Sequence, residues 1–270
     1  MTRSSSATLL EVDAINVFYG PIQALRGVAM RIDAGERVAL VGANGAGKST
    51  TLRAISGLVP VAEGEIRLDG ESLKGRSPAE IVEAGIAQLP EGRELFSGMS
   101  VEDNLRAGFW TRRRSDTSFK DMRDQVMDHF PILRERAHQE AGTLSGGEQQ
   151  MLGVARALMS NPRLIIVDEL SMGLAPQIVA QLFEILRDVN EHGTAVLIVE
   201  QFVHMALANT DRAYVLAKGE VVLEGRSSDL LADPKLIASY LGEADQPADT
   251  TPVGKRKAAP KPRKPAAKGR

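Results

Sequence analysis

A glycine loop ending in Lys-Ser-Thr carries the first recognisable chemistry in this sequence. Gly42-Ala43-Asn44-Gly45-Ala46-Gly47-Lys48-Ser49-Thr50 fits the spacing G-x-x-x-x-G-K-[ST], the P-loop pattern. It follows the apolar run Arg37–Val41 and precedes a helix-like stretch over 51–56. The glycines let the backbone wrap closely around phosphates, and successive amides point into the concavity. A helix N-terminus behind the loop adds partial positive charge. Lys48 is placed to reach the β- and γ-phosphates of a nucleotide, and the Ser49 hydroxyl to sit on Mg²⁺. A glycine-rich turn with a chance Lys-Ser is the bland reading, and the strand–loop–helix context argues against it. Alone, the loop says only "nucleotide": kinases, GTPases and motor ATPases all remain open.

A second glycine pair lies far along the chain, in Leu144-Ser145-Gly146-Gly147-Glu148-Gln149-Gln150. Two glycines opening an amphipathic helix at Gln149 make another anion-binding helix N-terminus. A simple N-cap with a turn would look similar. Further on, the apolar run 164–167 ends in Asp168-Glu169. Asp168 is suited to hold Mg²⁺ through its water shell, and Glu169 to lie near the γ-phosphate. Solvated acids capping a strand are common. The order of the three motifs rejects the bland readings jointly.

These residues need elements that hold them in register. Short β-branched runs alternate with amphipathic stretches, which predicts an α/β protein with a mostly parallel sheet covered by helices. The runs 37–41, 164–167 and 195–199 read as strands buried on both faces. Stretches 9–17, 24–32 and 65–69 alternate, which predicts a small antiparallel sheet beside the core. Residues 101–158 are almost free of strand signals. Ser100 is positioned to cap a helix there, and Met151, Leu152, Val154, Ala155, Leu158 and Met159 form an apolar stripe at helical spacing.

The 270 residues carry 43% hydrophobic residues and no cysteine, which excludes disulfides and thiolate metal sites. Neither a secretory signal nor a run near the roughly 20 apolar residues of a membrane span is visible, so a membrane role needs another chain. Eight of the 33 basic residues lie from Lys255 onward; without them 25 basic face 35 acidic residues, a net −10. The body is therefore acidic and no nucleic-acid surface is expected. Residues 243–270, rich in Ala, Pro and Lys, read as a disordered basic tail.

In this order the motifs resemble the ABC ATPase family: P-loop, LSGGEQQ signature, and Walker B with its glutamate. The resemblance covers about residues 9–242 and implies a P-loop NTPase (RecA-like) core sheet with an antiparallel β subdomain. It also implies a helical subdomain, about 96–159, that carries the signature. It further implies ATP and Mg as ligands, and a head-to-tail dimer in which each ATP lies between one subunit's P-loop and the other's signature, Leu144 to Glu148. Tyr19 matches the aromatic that stacks on adenine. Pro90-Glu91-Gly92-Arg93, 157–163, 173–176 and Val199-Glu200-Gln201 resemble the LivF-type subunit of high-affinity branched-chain amino acid importers. That branch implies a peripheral ATPase on the cytoplasmic face of the membrane, a heterodimer with a related ATPase or a homodimer, transmembrane permease subunits and, indirectly, a substrate-binding protein. A urea or amide importer shares much of the pattern, and a soluble ABC ATPase acting on nucleic acid or ribosomes is a further alternative.

Three positions depart from the family. Glu91 stands where most members carry a Mg²⁺-touching Gln, while Gln88 falls within a strand; a carboxylate can fill the role. Gln201 replaces the usual switch His; it can donate a hydrogen bond to the γ-phosphate but cannot become a cation, leaving Glu169 as general base. His204 is expected at the surface. Leu170 replaces a Pro after the catalytic acid and predicts a less constrained loop there.

Overall fold

The computed structural model describes residues 7–92, 94–113 and 116–233; the tail and the expected domain end at 242 lie outside them. Thr8–Tyr19 (β1) and Ile22–Asp33 (β2) form a long hairpin, followed by Arg37–Val41 (β3) and the helix Lys48–Ile55 (α1). Next come Glu63–Leu68 (β4), Glu71–Ser72 (β5), Pro78–Ala84 (α2) and Ile86–Leu89 (β6). Four helices follow in succession: Val101–Gly108 (α3), Phe119–Asp128 (α4), Pro131–Glu135 (α5) and Gly146–Leu158 (α6). The chain then returns to alternation with Leu164–Asp168 (β7), Pro176–Glu191 (α7), Ala195–Glu200 (β8) and Val203–Ala208 (α8). It closes on Arg212–Ala217 (β9), Glu220–Arg226 (β10) and Ser227–Ala232 (α9).

Two sheets result. One is antiparallel, in the order β2-β1-β4-β5, and the other runs β10-β9-β3-β8-β7-β6. In the second, β6, β7, β8, β3 and β9 are parallel and only β10 is antiparallel, on β9. Alternate residues of its strands enter different cores. Val38 and Leu40 of β3, with Leu164 and Ile166 of β7, pack toward β1, β2 and α1. Ala39, Val41, Ile165 and Val167 pack toward the helices α3 to α8. A strand sandwiched this way has no face for water, which is why these runs are apolar throughout. Each Val, Leu or Ile among them contributes about 1.5–3 kcal/mol on burial, and a one-residue slip would exchange every side chain between cores.

The helix starts differ from the sequence expectation by three residues. α1 begins at Lys48, not Thr51, so Lys48, Ser49 and Thr50 form its first turn. α6 begins at Gly146, not Gln149, because Ser145 and Glu148 form a capping box that fixes the start before the glycines. Ser100 caps α3 as expected, its hydroxyl accepting from the Asp103 amide. The five parallel strands point their C-terminal ends to the same edge of the sheet, so the residues after β3, β6, β7 and β8 meet there.

Candidate active site

The loop after β3 is shaped by close approaches that only glycine permits. A Cβ on Gly42 would lie 2.5 Å from the Leu216 carbonyl oxygen, and one on Gly47 would lie 2.8 Å from Leu25 Cδ2. Gly47 also stands at φ 113 as the N-cap of α1, a conformation that strains any L side chain. The loop is tied internally by Ala46 N–H to the Ala43 carbonyl (3.0 Å) and to the β9–β10 turn by Gly219 N–H to the Ala46 carbonyl (2.8 Å). Lys48 is 5% exposed, and its Nζ donates to the Gly42 carbonyl at 2.8 Å, so the ammonium sits inside the cradle.

The cradle opens on a cleft of about 830 Å³. Asn44, Gly45, Gly47, Lys48, Ser49 and Thr50 form one wall; Glu91, Glu169 and Gln201 reach it from the ends of β6, β7 and β8. Arg26 and Lys218, which the sequence reading did not single out, also border it. Their signal is weak in sequence, because the residues belong to β2 and to the β9–β10 turn and arrive only through tertiary pairing. Tyr19 ends β1 opposite Ile22 and is 42% exposed. Ile22 and Gln23 line the cleft wall, whereas Tyr19, paired with Ile22, does not. Gln88 accepts a hydrogen bond from the Ser56 hydroxyl and faces an adjoining groove shared with Ser49, Glu91 and Asp168. His204 is exposed on α8 and takes no part in the cleft.

Asp168 is 6% exposed at the end of β7. Burial first, then the charges of Glu169 and Glu91, push its carboxyl up to about 6, with Lys48 pulling the other way. Three carboxylates crowding one lysine leave an excess of negative charge that a cation would relieve. Glu169 adopts φ 48, left-handed for a residue with a side chain, and its amide continues the ladder to the Val199 carbonyl at 2.8 Å. Such a conformation costs about 1–3 kcal/mol and persists only where neighbours over-determine it.

The loop after Glu169 is not loose. Leu170 is 1% exposed and packs in the helical-side core, and Ser171 donates its amide and its hydroxyl to Glu200, each at 3.0 Å. The expectation of a less constrained segment is thus corrected: apolar burial and two hydrogen bonds take the place of proline's fixed φ. Glu200 itself escaped the sequence reading. Its only signal was a charged residue closing an otherwise apolar strand.

The second glycine motif lies elsewhere. Ser145 N–H donates to Glu148 Oε2 at 2.8 Å, and that contact, more than any other, holds the Glu148 carboxyl below its usual range. Arg136 pairs with Glu148 at 3.2 Å, Leu144 is buried, and Ser145 and Gly146 are exposed. A Cβ on Gly147 would come within 3.0 Å of Ile178 on α7. None of residues Leu144, Ser145, Gly146, Gly147 or Glu148 lines the cleft that holds Lys48. One chain therefore presents two glycine-bearing helix N-termini that it does not itself bring together.

A parallel sheet carrying a glycine cradle, a buried aspartate and an adjacent glutamate at its strand ends defines a P-loop NTPase. The added antiparallel sheet and the helical insertion leading to a glycine-started helix narrow the class to an ATP-binding cassette. Residues 25–171 match the family described as ABC transporter. The chain is 46% identical over 234 residues to the high-affinity branched-chain amino acid transport ATP-binding protein BraG of Pseudomonas aeruginosa, covering 87% of this chain and 100% of that protein. Its fold matches the crystal structure of the ADP conformation of an ATP-binding cassette of an ABC transporter, with TM-score 0.77 and 27% identity over 88% of this chain and 100% of that one. A dimeric ATP-binding cassette in a post-hydrolysis state, bound to ADP and Pi, matches with TM-score 0.73 and 25% identity over 81% and 99%. The chain belongs to the ABC transporter family, as its nucleotide-binding, ATP-hydrolysing cassette. Cassettes of this family dimerise and work with transmembrane permeases. Among the described residues, no helix is long and apolar enough to cross a membrane.

Proposed function

We propose that the chain energises uptake of branched-chain amino acids, hydrolysing MgATP in a site that a second, related cassette completes. The full-length match to BraG carries the substrate assignment. The heterodimer, an extracytoplasmic substrate-binding protein and a place on the cytoplasmic membrane face belong to the same proposal.

In this reading Lys48 exchanges the Gly42 carbonyl for β- and γ-phosphate oxygens, and the amides of 45–50 bond the remaining ones. Tyr19, beside the cleft residue Ile22, stacks on the base. Gln201 donates its carboxamide N–H to the γ-phosphate. Glu169 accepts a proton from the water that attacks the γ-phosphorus in line, while the bond to the β–γ bridging oxygen breaks and ADP leaves. The Ser145–Gly147 turn closes the partner's nucleotide rather than its own.

Mg²⁺ fits the donor set. No group of three or more His, Cys, Asp or Glu among the described residues could hold a metal by itself. Mg²⁺ at a nucleotide needs less than that, because it keeps waters and phosphate oxygens and takes only one or two protein oxygens. The Ser49 hydroxyl and the Asp168 and Glu91 carboxylates offer those oxygens beside the cradle. When bound, the ion neutralises phosphate charge.

Two measurements test the proposal. Glu169→Gln in the assembled transporter should bind ATP, accumulate the closed dimer and lose hydrolysis by at least about 100-fold; normal turnover would remove Glu169 from its role. The wild-type complex in proteoliposomes should import labelled leucine, isoleucine and valine on ATP. Uptake of urea or short amides instead would replace the substrate while leaving the ATPase reading intact.

A further inference from the structure

Glu200 is a buried carboxylate at the heart of the site with no task in the mechanism above. At 1% exposure it is sealed from the cleft, so it can meet neither nucleotide nor the attacking water. Its two oxygens are divided between the Ser171 amide and the Ser171 hydroxyl, each at 3.0 Å, and Gln201 follows it directly in the chain. Burying a carboxylate is costly, and a well-packed apolar side chain would anchor a loop at less cost. An acceptor on the end of β8 that takes both an N–H and an O–H donor from the loop after β7 is what the carboxylate adds.

The two loops are those that carry the proposed catalytic groups. Glu169 lies two residues before Ser171, and Gln201 directly follows Glu200. Glu169 is held at φ 48 between two anchors, its own amide on the Val199 carbonyl and the Ser171 pair on Glu200. Both anchors belong to the end of β8. Released from the second, the backbone at 169 is free to relax to an ordinary φ and swing its carboxylate.

We propose that Glu200 is a positioning residue for hydrolysis: it clamps the loop after Glu169 to the end of β8 and so holds Glu169 and Gln201 in one frame. This inference rests on the roles given to those two residues. It predicts that Glu200 matters for turnover and not for nucleotide affinity.

The test uses the full chain in its reconstituted transporter, with Glu200→Gln, Ser171→Ala and their combination. Glu200→Gln keeps the shape and removes one acceptor role. It should lower kcat by roughly 10- to 100-fold, the scale of an ångström's misplacement. KM for MgATP should stay as in the wild type, and Tm should hold or rise because a neutral amide costs less to bury. Ser171→Ala, a small change in a loop, should lower kcat in the same way, and the pair together should fall no further than Glu200→Gln alone. Unchanged kcat in Glu200→Gln overturns the clamp. So do losses that multiply in the pair, or a kcat loss accompanied by lower Tm and weaker ATP binding, which is ordinary structural damage. Glu169→Gln is assayed alongside. If it hydrolyses ATP normally, the underlying site reading fails; if it is dead while Glu200→Gln is unaffected, only the clamp fails.

Discussion

Asp168 shows at a single residue how this site trades stability for function. In the folded chain it titrates at about 6, against an ordinary value of 3.8. As pH rises, the unfolded chain therefore gives up this proton first, and folding loses stability between about pH 4 and pH 6. Below that window the penalty is absent, and above it the penalty is complete, worth up to about 3 kcal/mol. Asp168→Asn removes the charge while keeping the shape. The nucleotide-free variant should melt higher than the wild type at pH 8, by less at pH 5, and should lose ATPase activity at both. An equal gain in Tm at the two pH values, measured by calorimetry, would show that the ionised carboxylate is not the source of the cost. Such a gain of stability with loss of activity is the usual mark of a group retained for its chemistry.

At the scale of elements, α6 and α7 meet where the signature glycine lies. Gly147 leaves 3.0 Å between its missing Cβ and the Ile178 side chain, so alanine there needs that side chain to give by a few tenths of an ångström. Gly147→Ala should lower Tm, and adding Ile178→Ala should restore it by making room. With this helix end placed, as proposed, on the phosphate of the partner's nucleotide, a methyl would block it and hydrolysis should stay low in both. Recovery of activity together with Tm would reduce Gly147 to a packing residue. The glycine itself was legible in the sequence, as were Lys48, Asp168 and Glu169, because local spacing and flanking elements define them. Strands β3, β7 and β8 were legible for the same reason: burial on both faces makes them apolar without interruption. The start of α6 was misjudged because glycines are poor helix formers, and the Ser145–Glu148 capping box outweighed them. Glu200 and the anchoring of Leu170 were not legible at all. Ser171 and Glu200 are 29 residues apart, and only the pairing of β7 with β8 brings them together.

At the scale of the whole molecule, the separation of the cradle from the signature makes a prediction about assembly. Lys48 lies in the cleft at the strand ends, while Ser145 is exposed at the start of α6 and lines no part of that cleft. If each nucleotide is sandwiched between the two, a defect in Lys48 of one subunit and a defect in Ser145 of its partner fall on the same composite site. In a dimer of two copies of this chain, the alternative to pairing with a related cassette, one Lys48→Ala copy and one Ser145→Arg copy then keep the other site whole. Were both surfaces to serve one nucleotide within a chain, the mixed dimer would have no intact site. Each variant alone should be inactive, and mixing them should restore hydrolysis, read as phosphate release on titrating one variant into the other. The acidic body of the chain makes a useful control, since repulsion between two such bodies is screened by salt and dimer formation should weaken as salt is lowered. Restored activity that tracks dimer formation across a salt series would tie the recovery to the composite site. No activity in a mixture shown by native mass spectrometry to contain mixed dimers would overturn the split site.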